Sequence, residues 1–385
     1  SRASVLTGLT ECTHGFTFGT PPIRKADVAA SYPALLKGAG YRTGFIGKFG
    51  VKIEGPTDAM FDVFHPLNRN PYFKDQPDGS KRHVAEIAGD HAEGFLREQP
   101  EGQPFCLSVS FNAVHAEDGD KRPGIGHYPW PKAVDGLYDD IDIPPPRLSD
   151  PKYFETLPAF LKESLNRVRY FWRWDTPEKY ETNMRAYYRM LTGVDRVIGR
   201  VLDRLEAEGL AENTIVIYAA DNGYYMGDRG FAGKWSHFEQ SLRVPLIVYD
   251  PRLPETRRGR VLEPMALNID VPATVLDAAG CNVPEQYQGR SLAPLLRGDT
   301  PADWREDFFC EHRMDHEKIP KWEGVRGRRY VYARYYEQEP PYEFLHDLAA
   351  DSNQLENFAG APEYESALED MRARCAAYKN RYCTS

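Results

Sequence analysis

The chain has 385 residues and a formal charge of −9; 41% of its residues are hydrophobic, 12% aromatic and 27% charged. That is a globular composition, long enough for a large domain plus a smaller unit, and the negative balance argues against a nucleic-acid-binding stripe. No run is long and apolar enough to span a membrane, and a cationic pocket for an anionic ligand stays compatible with the net sign because clefts focus local fields.

In chain order, strand-like runs at 41–46, 105–111, 214–219 and 244–249 alternate with helical patterns. They predict an α/β fold, a mostly parallel central sheet flanked by helices. Between His115 and Tyr180 the composition turns to Pro, Asp and aromatics, with Pro144-Pro145-Pro146 and Tyr170-Phe171-Trp172-Arg173-Trp174. This stretch reads equally as a long functional surface excursion and as a packed insertion. Met184, Tyr187, Leu191, Val194, Ile198, Val201 and Leu205 recur every three to four residues, which predicts a helix over 181–208 stopped by Gly209. A second helix is predicted over 271–279, with Asp270 as N-cap and Gly280 at its end. Beyond Leu296-Arg297-Gly298, strands at 325–336 and 342–346 join through Pro340-Pro341, and a polar helix over 363–379 follows. The chain thus divides into residues 1–300 and a small C-terminal α+β subdomain over 301–385.

None of the six cysteines forms a C-x-x-C pair, so a structural zinc site is not expected. Cys106 sits in an apolar run as a core residue. Cys375 and Cys383 can close a short disulfide loop in an oxidising compartment.

Three strand candidates end on polar groups: 41–46 on Gly47-Lys48, 105–111 on Asn112 to His115, and 214–219 on Asp221-Asn222-Gly223. Ligands of open α/β sheets bind at the carboxyl ends of strands, so these groups are expected to converge. Asp221 and Asn222 offer hard oxygens suited to Ca²⁺ or Mg²⁺. Lysines offer positive charge to an oxyanion, and a His can protonate a leaving group. Together they suit metal-assisted attack on a phosphate or sulfate ester.

A family resemblance rests on segments in order. Ser1-Arg2-Ala3-Ser4-Val5-Leu6-Thr7-Gly8 resembles the tail of the sulfatase signature C-x-P-S-R-A-S-x-L-T-G. The run from Gly40 to Lys48 is similar to the family's G-Y-x-T-x-x-x-G-K. Phe111 to His115 resembles F-x-x-P-H, Ala220 to Gly223 resembles S-D-N-G, and Gly233-Lys234-Trp235 resembles G-K-x. Gln288 to Leu292 is similar to the later G-x-S-L segment, and 342–358 to a terminal Y-x-L-Y-D-L-x-x-D-P-x-E-x-x-N-L.

The resemblance implies an alkaline-phosphatase-like fold and a formylglycine-dependent sulfuric-ester hydrolase acting on a sulfated carbohydrate or small sulfate ester. It places the nucleophile three positions before Ser1, where a maturation enzyme would make formylglycine from Cys or Ser. Arg2 would hold that group. Lys48 and Lys234 would bind sulfate oxygens, and His115 would bind sulfate or protonate the leaving alcohol. Asp221 and Asn222 would ligate Ca²⁺, with Mg²⁺ as the other choice, alongside an Asp-Asp pair ahead of the signature. His14 and His237 are further candidates for substrate contact. Residues 1–385 would then be truncated within the signature and inactive alone, lacking the nucleophile, two metal ligands and the first strand. Export to a periplasmic, extracellular or lysosome-like compartment is the family expectation.

Two departures stand out. Many sulfatases carry a His shortly after the lysine matched by Lys48, whereas this chain reads Lys48-Phe49-Gly50-Val51-Lys52; Val114 replaces the proline before His115. His83 and His91 fall on a helical pattern and read as surface or packing residues. Trp172, Arg173, Trp174, His312 and His316 read as core residues or substrate contacts. Two alternatives remain: a phosphoester or phosphonate hydrolase on the same fold, and a non-catalytic paralogue that binds sulfated glycans, toward which Gly50 leans.

Overall fold

The structure is a computed structural model that describes residues 1–119 and 127–383. The first strands are β1 (Arg42–Gly47), β2 (Val63–Pro66), the small hairpin of β3 (Phe73–Asp75) and β4 (Lys81–His83), and β5 (Phe105–Ser110). β2, β1 and β5 form a parallel sheet with β1 in the middle. Side chains alternate across a strand, and β1 shows the consequence. Phe45 packs with Phe61, Phe64, Leu6, Leu36 and Leu276 beneath the helices Arg2–Thr7, Tyr32–Gly38 and Asp270–Ala278. Ile46 points the other way, to Ala88 and Ala92 of the helix Val84–Arg97. Next to it, Leu107 meets Phe95, Val201 and Leu205, the last two from the helix Pro177–Ala207. Burying each such large side chain contributes roughly 1.5–3 kcal/mol, so the sheet is held from both faces.

β6 (Val216–Ala219) and β7 (Leu246–Tyr249) pair antiparallel as a separate two-stranded ribbon. Val216 shares the Leu107–Leu205 cluster, so the ribbon lies on the same helical layer as β5 without a ladder to it. The last strands, β8 (Asp307–His312), β9 (Trp322–Gly327), β10 (Tyr330–Tyr335) and β11 (Tyr342–Asp347), form an antiparallel sheet in the order β11-β10-β9-β8. One face packs Val325, Tyr332 and Leu345 on Leu368, Met371 and Cys375 of the helix Glu365–Tyr382. The other packs Trp322, Ala333 and Phe344 on Phe231, Phe238 and Leu161.

The predicted fold class is the one observed, with local corrections. The 325–336 run is two strands, because Gly327, Arg328 and Arg329 turn the chain while the apolar alternation resumes beyond them. The helix predicted over 181–208 starts four residues earlier, at Pro177, where the Thr176 hydroxyl accepts the Lys179 N–H. Its buried seam runs through Met184, Met190, Val194, Val197 and Leu205, and Leu191 is exposed. Asp270 is the first helical residue rather than the N-cap. Its buried carboxylate accepts the Leu267 and Arg290 N–H groups and pairs with Arg305 at 2.7 Å. Outside 120–126, which lies beyond the described residues, the aromatic stretch is a packed insertion. It forms the helices Lys152–Glu155, Ala159–Lys162 and Leu165–Arg173 and buries Tyr128, Leu157, Leu161 and Trp174. His83 caps the helix Val84–Arg97 from a buried position, and His91 stacks on His65.

The predicted Cys375–Cys383 disulfide is also corrected. Cys383 bonds to Cys12 across 371 residues, while Cys375 is a buried thiol among apolar neighbours, pushed up to about 12 by burial. A bond closing so long a loop removes much unfolded-chain entropy, and losing one typically costs about 2–5 kcal/mol. Cys383→Ser, or reduction of the native protein, should therefore lower the urea midpoint by a matching amount. An unchanged midpoint under dithiothreitol would contradict this pairing.

Candidate active site

Four segments bring their polar groups to one place. At the end of β1, Gly47 adopts φ +100°, and a Cβ there would collide with the Ser110 carbonyl oxygen at the end of β5. The close approach lets the Lys48 N–H donate to that same oxygen at 2.7 Å and turns the Lys48 side chain off the strand end. Beyond β5, Asn112 donates to the Leu67 carbonyl, and the buried Tyr72 hydroxyl lies 2.6 Å from the His115 carbonyl oxygen, which fixes the turn carrying His115. Beyond β6, the Gly223 N–H donates to the Ser241 carbonyl and holds Asp221 and Asn222 at the ribbon's end. Lys234 comes from the loop after the turn Asp228–Gly230 and donates to Asn222 Oδ1 at 2.6 Å.

Arg2 closes the group from the first helix. Its Nη1 pairs with Asp221 at 2.6 Å, and its Nε donates to the Phe49 carbonyl at 3.1 Å. Gly50, at φ +60°, leaves the space that the guanidinium fills, since a Cβ there would meet Arg2 Nη2. The position where many sulfatases carry a histidine is thus occupied by arginine packing.

Ser1, Arg2, His14, Lys48, His115, Asp221, Asn222 and Lys234 all line one open cavity of about 1450 Å³, which extends to β7. Positive charge dominates where they meet. Burial lowers the Lys48 pKa to about 8, with Arg2 and Lys234 adding to the effect and Asp221 opposing it. Burial likewise lowers Lys234, against the pull of Asp221. Burial alone would raise Asp221, but Lys234, Arg2 and Lys48 outweigh it and hold the carboxyl below its ordinary value. His115 falls to about 3 through burial and then the charge of Arg69, with smaller effects from Lys48 and Lys234. Its Nδ1 lies 2.8 Å from the Ala116 carbonyl, which places the proton on Nδ1 and leaves Nε2 to accept.

The other sequence candidates fare differently. His14 is in the cavity wall, yet both ring nitrogens have protein partners: Nδ1 accepts the Phe16 N–H and Nε2 lies 3.2 Å from Ser4 Oγ. The expected contact of His237 with substrate is corrected. It is fully buried between the Tyr335 hydroxyl and His346 and does not reach the cavity. His312 lines the cavity, while His316 is exposed in a loop. Trp174 and Arg173 are buried. Sequence reading missed Arg69, Asp118 and Arg169, which line the same cavity. Arg69 follows β2, a strand too short to be noticed, so the strand-end logic that found Lys48 passes over it. Among the described residues, the one cluster with metal-ligand proximity is Cys12, Glu311 and Cys383, and its two sulfurs are already bonded to each other.

Comparison with known proteins follows the same outline. The sulfatase family model matches residues 1–281, and the model for the C-terminal part of N-sulphoglucosamine sulphohydrolase matches residues 227–381. An N-acetylglucosamine-6-O-sulfatase of Bacteroides thetaiotaomicron is 27% identical over 96% of this chain. The chain spans 75% of that relative's length and about half the length of several other curated relatives. A solved structure in complex with its substrate, D-glucosamine-2-N,6-O-disulfate, superposes with a TM-score of 0.76 at 24% identity, covering 99% of this chain and 87% of that one. Phosphonate monoester hydrolase of Silicibacter pomeroyi superposes with a TM-score of 0.79 at 22% identity, covering 99% and 85%. Matched by the family model over nearly three quarters of its length, the chain belongs to the sulfatase family.

Proposed function

We propose that this chain provides the substrate-binding and metal-binding part of a sulfuric-ester hydrolase acting on a sulfated carbohydrate. The carrying observation is that Arg2, Lys48, His115 and Lys234 reach one cavity wall from four separate segments, with Asp221 and Asn222 between them. A sulfate ester is a compact monoanion, and such a cluster of desolvated cations matches the charge that grows on its oxygens during cleavage. Lys48 and Lys234 bind those oxygens. Arg2, held by Asp221 and the Phe49 carbonyl, orients the attacking group. That group would be formylglycine, made by a maturation enzyme from a residue ahead of Ser1.

Asp221 and Asn222 present hard oxygens of the kind that Ca²⁺ or Mg²⁺ takes, and they would supply two of the roughly six to eight ligands calcium uses. When bound, the ion would supply positive charge beside the sulfate. The relatives named above, one a sugar sulfatase and one bound to a sulfated glucosamine, support the substrate class. The disulfide fits export to an oxidising compartment, and no helix among the described residues is long and apolar enough to cross a membrane.

His115 is neutral in the free site, and an arriving anion offsets the lysines and raises its affinity for a proton. That gain equips it to protonate the leaving alcohol. NMR of the free protein should show no His115 titration between about pH 5 and 8, because its pKa lies at about 3; Lys234→Ala should raise it. A His115 pKa near its ordinary value would contradict its burial beside Arg69 and the two lysines.

Lys234→Ala should lower kcat/KM of the enzyme on N-acetylglucosamine 6-sulfate by about 10²–10³ with an unchanged unfolding midpoint. Unchanged kinetics would remove Lys234 from the site. Turnover of phenyl phosphonate esters without turnover of sulfate esters would favour the phosphonate hydrolase reading.

A further inference from the structure

Beside the ester site lies a second concentration of guanidinium groups. Arg69 follows β2, and Arg169 and Arg173 lie on the helix Leu165–Arg173. All three are drawn to a single carboxylate, Asp118. Arg173 is buried and bonded to Asp118 Oδ1, with Tyr224 Oη at 3.5 Å. Arg69 and Arg169 share the other oxygen, Oδ2, at 3.6 and 3.5 Å. Those separations exceed hydrogen-bond length. Among the described residues neither arginine donates a hydrogen bond, and the buried Nε atoms of Arg69, Arg169 and Arg173 have no partner. One carboxylate cannot satisfy three five-donor forks.

The arrangement opens on the ligand side. Arg69, Asp118 and Arg169 line the same cavity as Lys48, His115 and Lys234, with side chains 23%, 22% and 16% exposed for Arg69, Asp118 and Arg169. The Arg169 guanidinium also lies 4.9 Å from the centre of the Trp235 ring. Trp235 directly follows Lys234 and holds a left-handed backbone at φ 77°, rare for a bulky residue. Its carbonyl accepts the Trp322 indole N–H at 2.9 Å, while its own buried indole N–H has no partner. A strained residue pinned by its backbone, with a ring set against an arginine, is a positioned wall. After burial, the charge of Arg69 lowers Lys48, His115 and Lys234 and that of Arg169 lowers Lys234, so both arginines act on the ester site in the cavity they share with it.

We propose that Arg69 and Arg169, backed by Trp235, form a subsite for a second anionic group on the substrate, so that the preferred ligand is a sugar carrying another sulfate or a carboxylate besides the ester. The inference rests on the sulfate-ester reading of the neighbouring site. Planar guanidinium forks suit both oxyanions through paired N–H donors, and the Asp118 carboxylate between them offsets part of their mutual repulsion.

The test compares affinities by calorimetry on residues 1–385, the chain that carries both sets of cations. The probes are N-acetylglucosamine 6-sulfate, which has one anion, and glucosamine N,6-disulfate, which has two; a uronic acid 2-sulfate tests a carboxylate as the second group. Both dianions or either one should bind at least about tenfold tighter than the monoanion, as charge-assisted hydrogen bonds to a guanidinium imply. Arg69→Gln and Arg169→Gln should each bring that ratio toward one, a readout that a purely structural role would not move. Lys234→Ala should weaken all the probes together and preserve the ratio. If the wild type binds mono- and dianions equally while Lys234→Ala weakens both, the subsite is wrong and the ester site stands. If Lys234→Ala changes nothing, or no probe binds, the sulfate-ester reading fails and the subsite fails with it.

Discussion

Arg2 and Asp221 are 219 residues apart in sequence and 2.6 Å apart in space, and the site is organised around that contact. Asp221 is the carboxylate at the junction of Arg2, Lys48 and Lys234, and all three favour its charged form. One negative charge among three positive ones leaves the group cationic. That excess adds to burial, the larger cause, in lowering the proton affinities of Lys48, Lys234 and His115. An anionic ligand relieves it, so the electrostatics that destabilise the free site are those that favour binding. Exposure to the cavity screens part of this effect, since Asp221 keeps 41% of its side chain accessible.

Holding cations together against repulsion takes a rigid frame, and much of it comes from the C-terminal sheet. The segment that follows the Arg2 helix is tied down at both ends of the chain: the Cys12 N–H donates to Glu311 on β8, Thr13 donates to the Tyr382 carbonyl, and Cys12 is bonded to Cys383. The loop carrying Lys234 is fixed in the same way. Trp322 on β9 donates to the Trp235 carbonyl, His237 lies against His346 on β11, and the buried Arg229 donates to the Gln354 carbonyl. The small antiparallel sheet therefore acts as a brace for two of the five segments that build the site, which is why its core is continuous with theirs through Phe231 and Phe238.

Much of this was readable in advance where local rules are strong. The strand ends at Gly47-Lys48 and at Asp221-Asn222 follow from apolar runs broken by polar residues, and the ordered motifs tie them to one family. His237 was misjudged because adjacency to Lys234 in sequence does not reveal that the chain turns its ring inward against Tyr335. The short loop between Cys375 and Cys383 makes them a pair on sequence grounds, whereas only tertiary folding brings Cys12 to Cys383. Arg69, Asp118 and Arg169 come from separate elements and converge only in three dimensions, so no spacing rule joins them. Gly50 is the most instructive case. As a sequence it looked like the loss of a histidine, and in the fold it is the opening through which Arg2 reaches the site.

The central claim is that the cations at these strand ends form an oxyanion site. Crystals of the protein soaked in selenate, a sulfate analogue with an anomalous signal, test it most directly. The account predicts a selenium peak in the cavity within hydrogen-bonding reach of Lys48 Nζ and Lys234 Nζ, displaced by added sulfate. Selenate bound elsewhere, with this cavity empty, would contradict it.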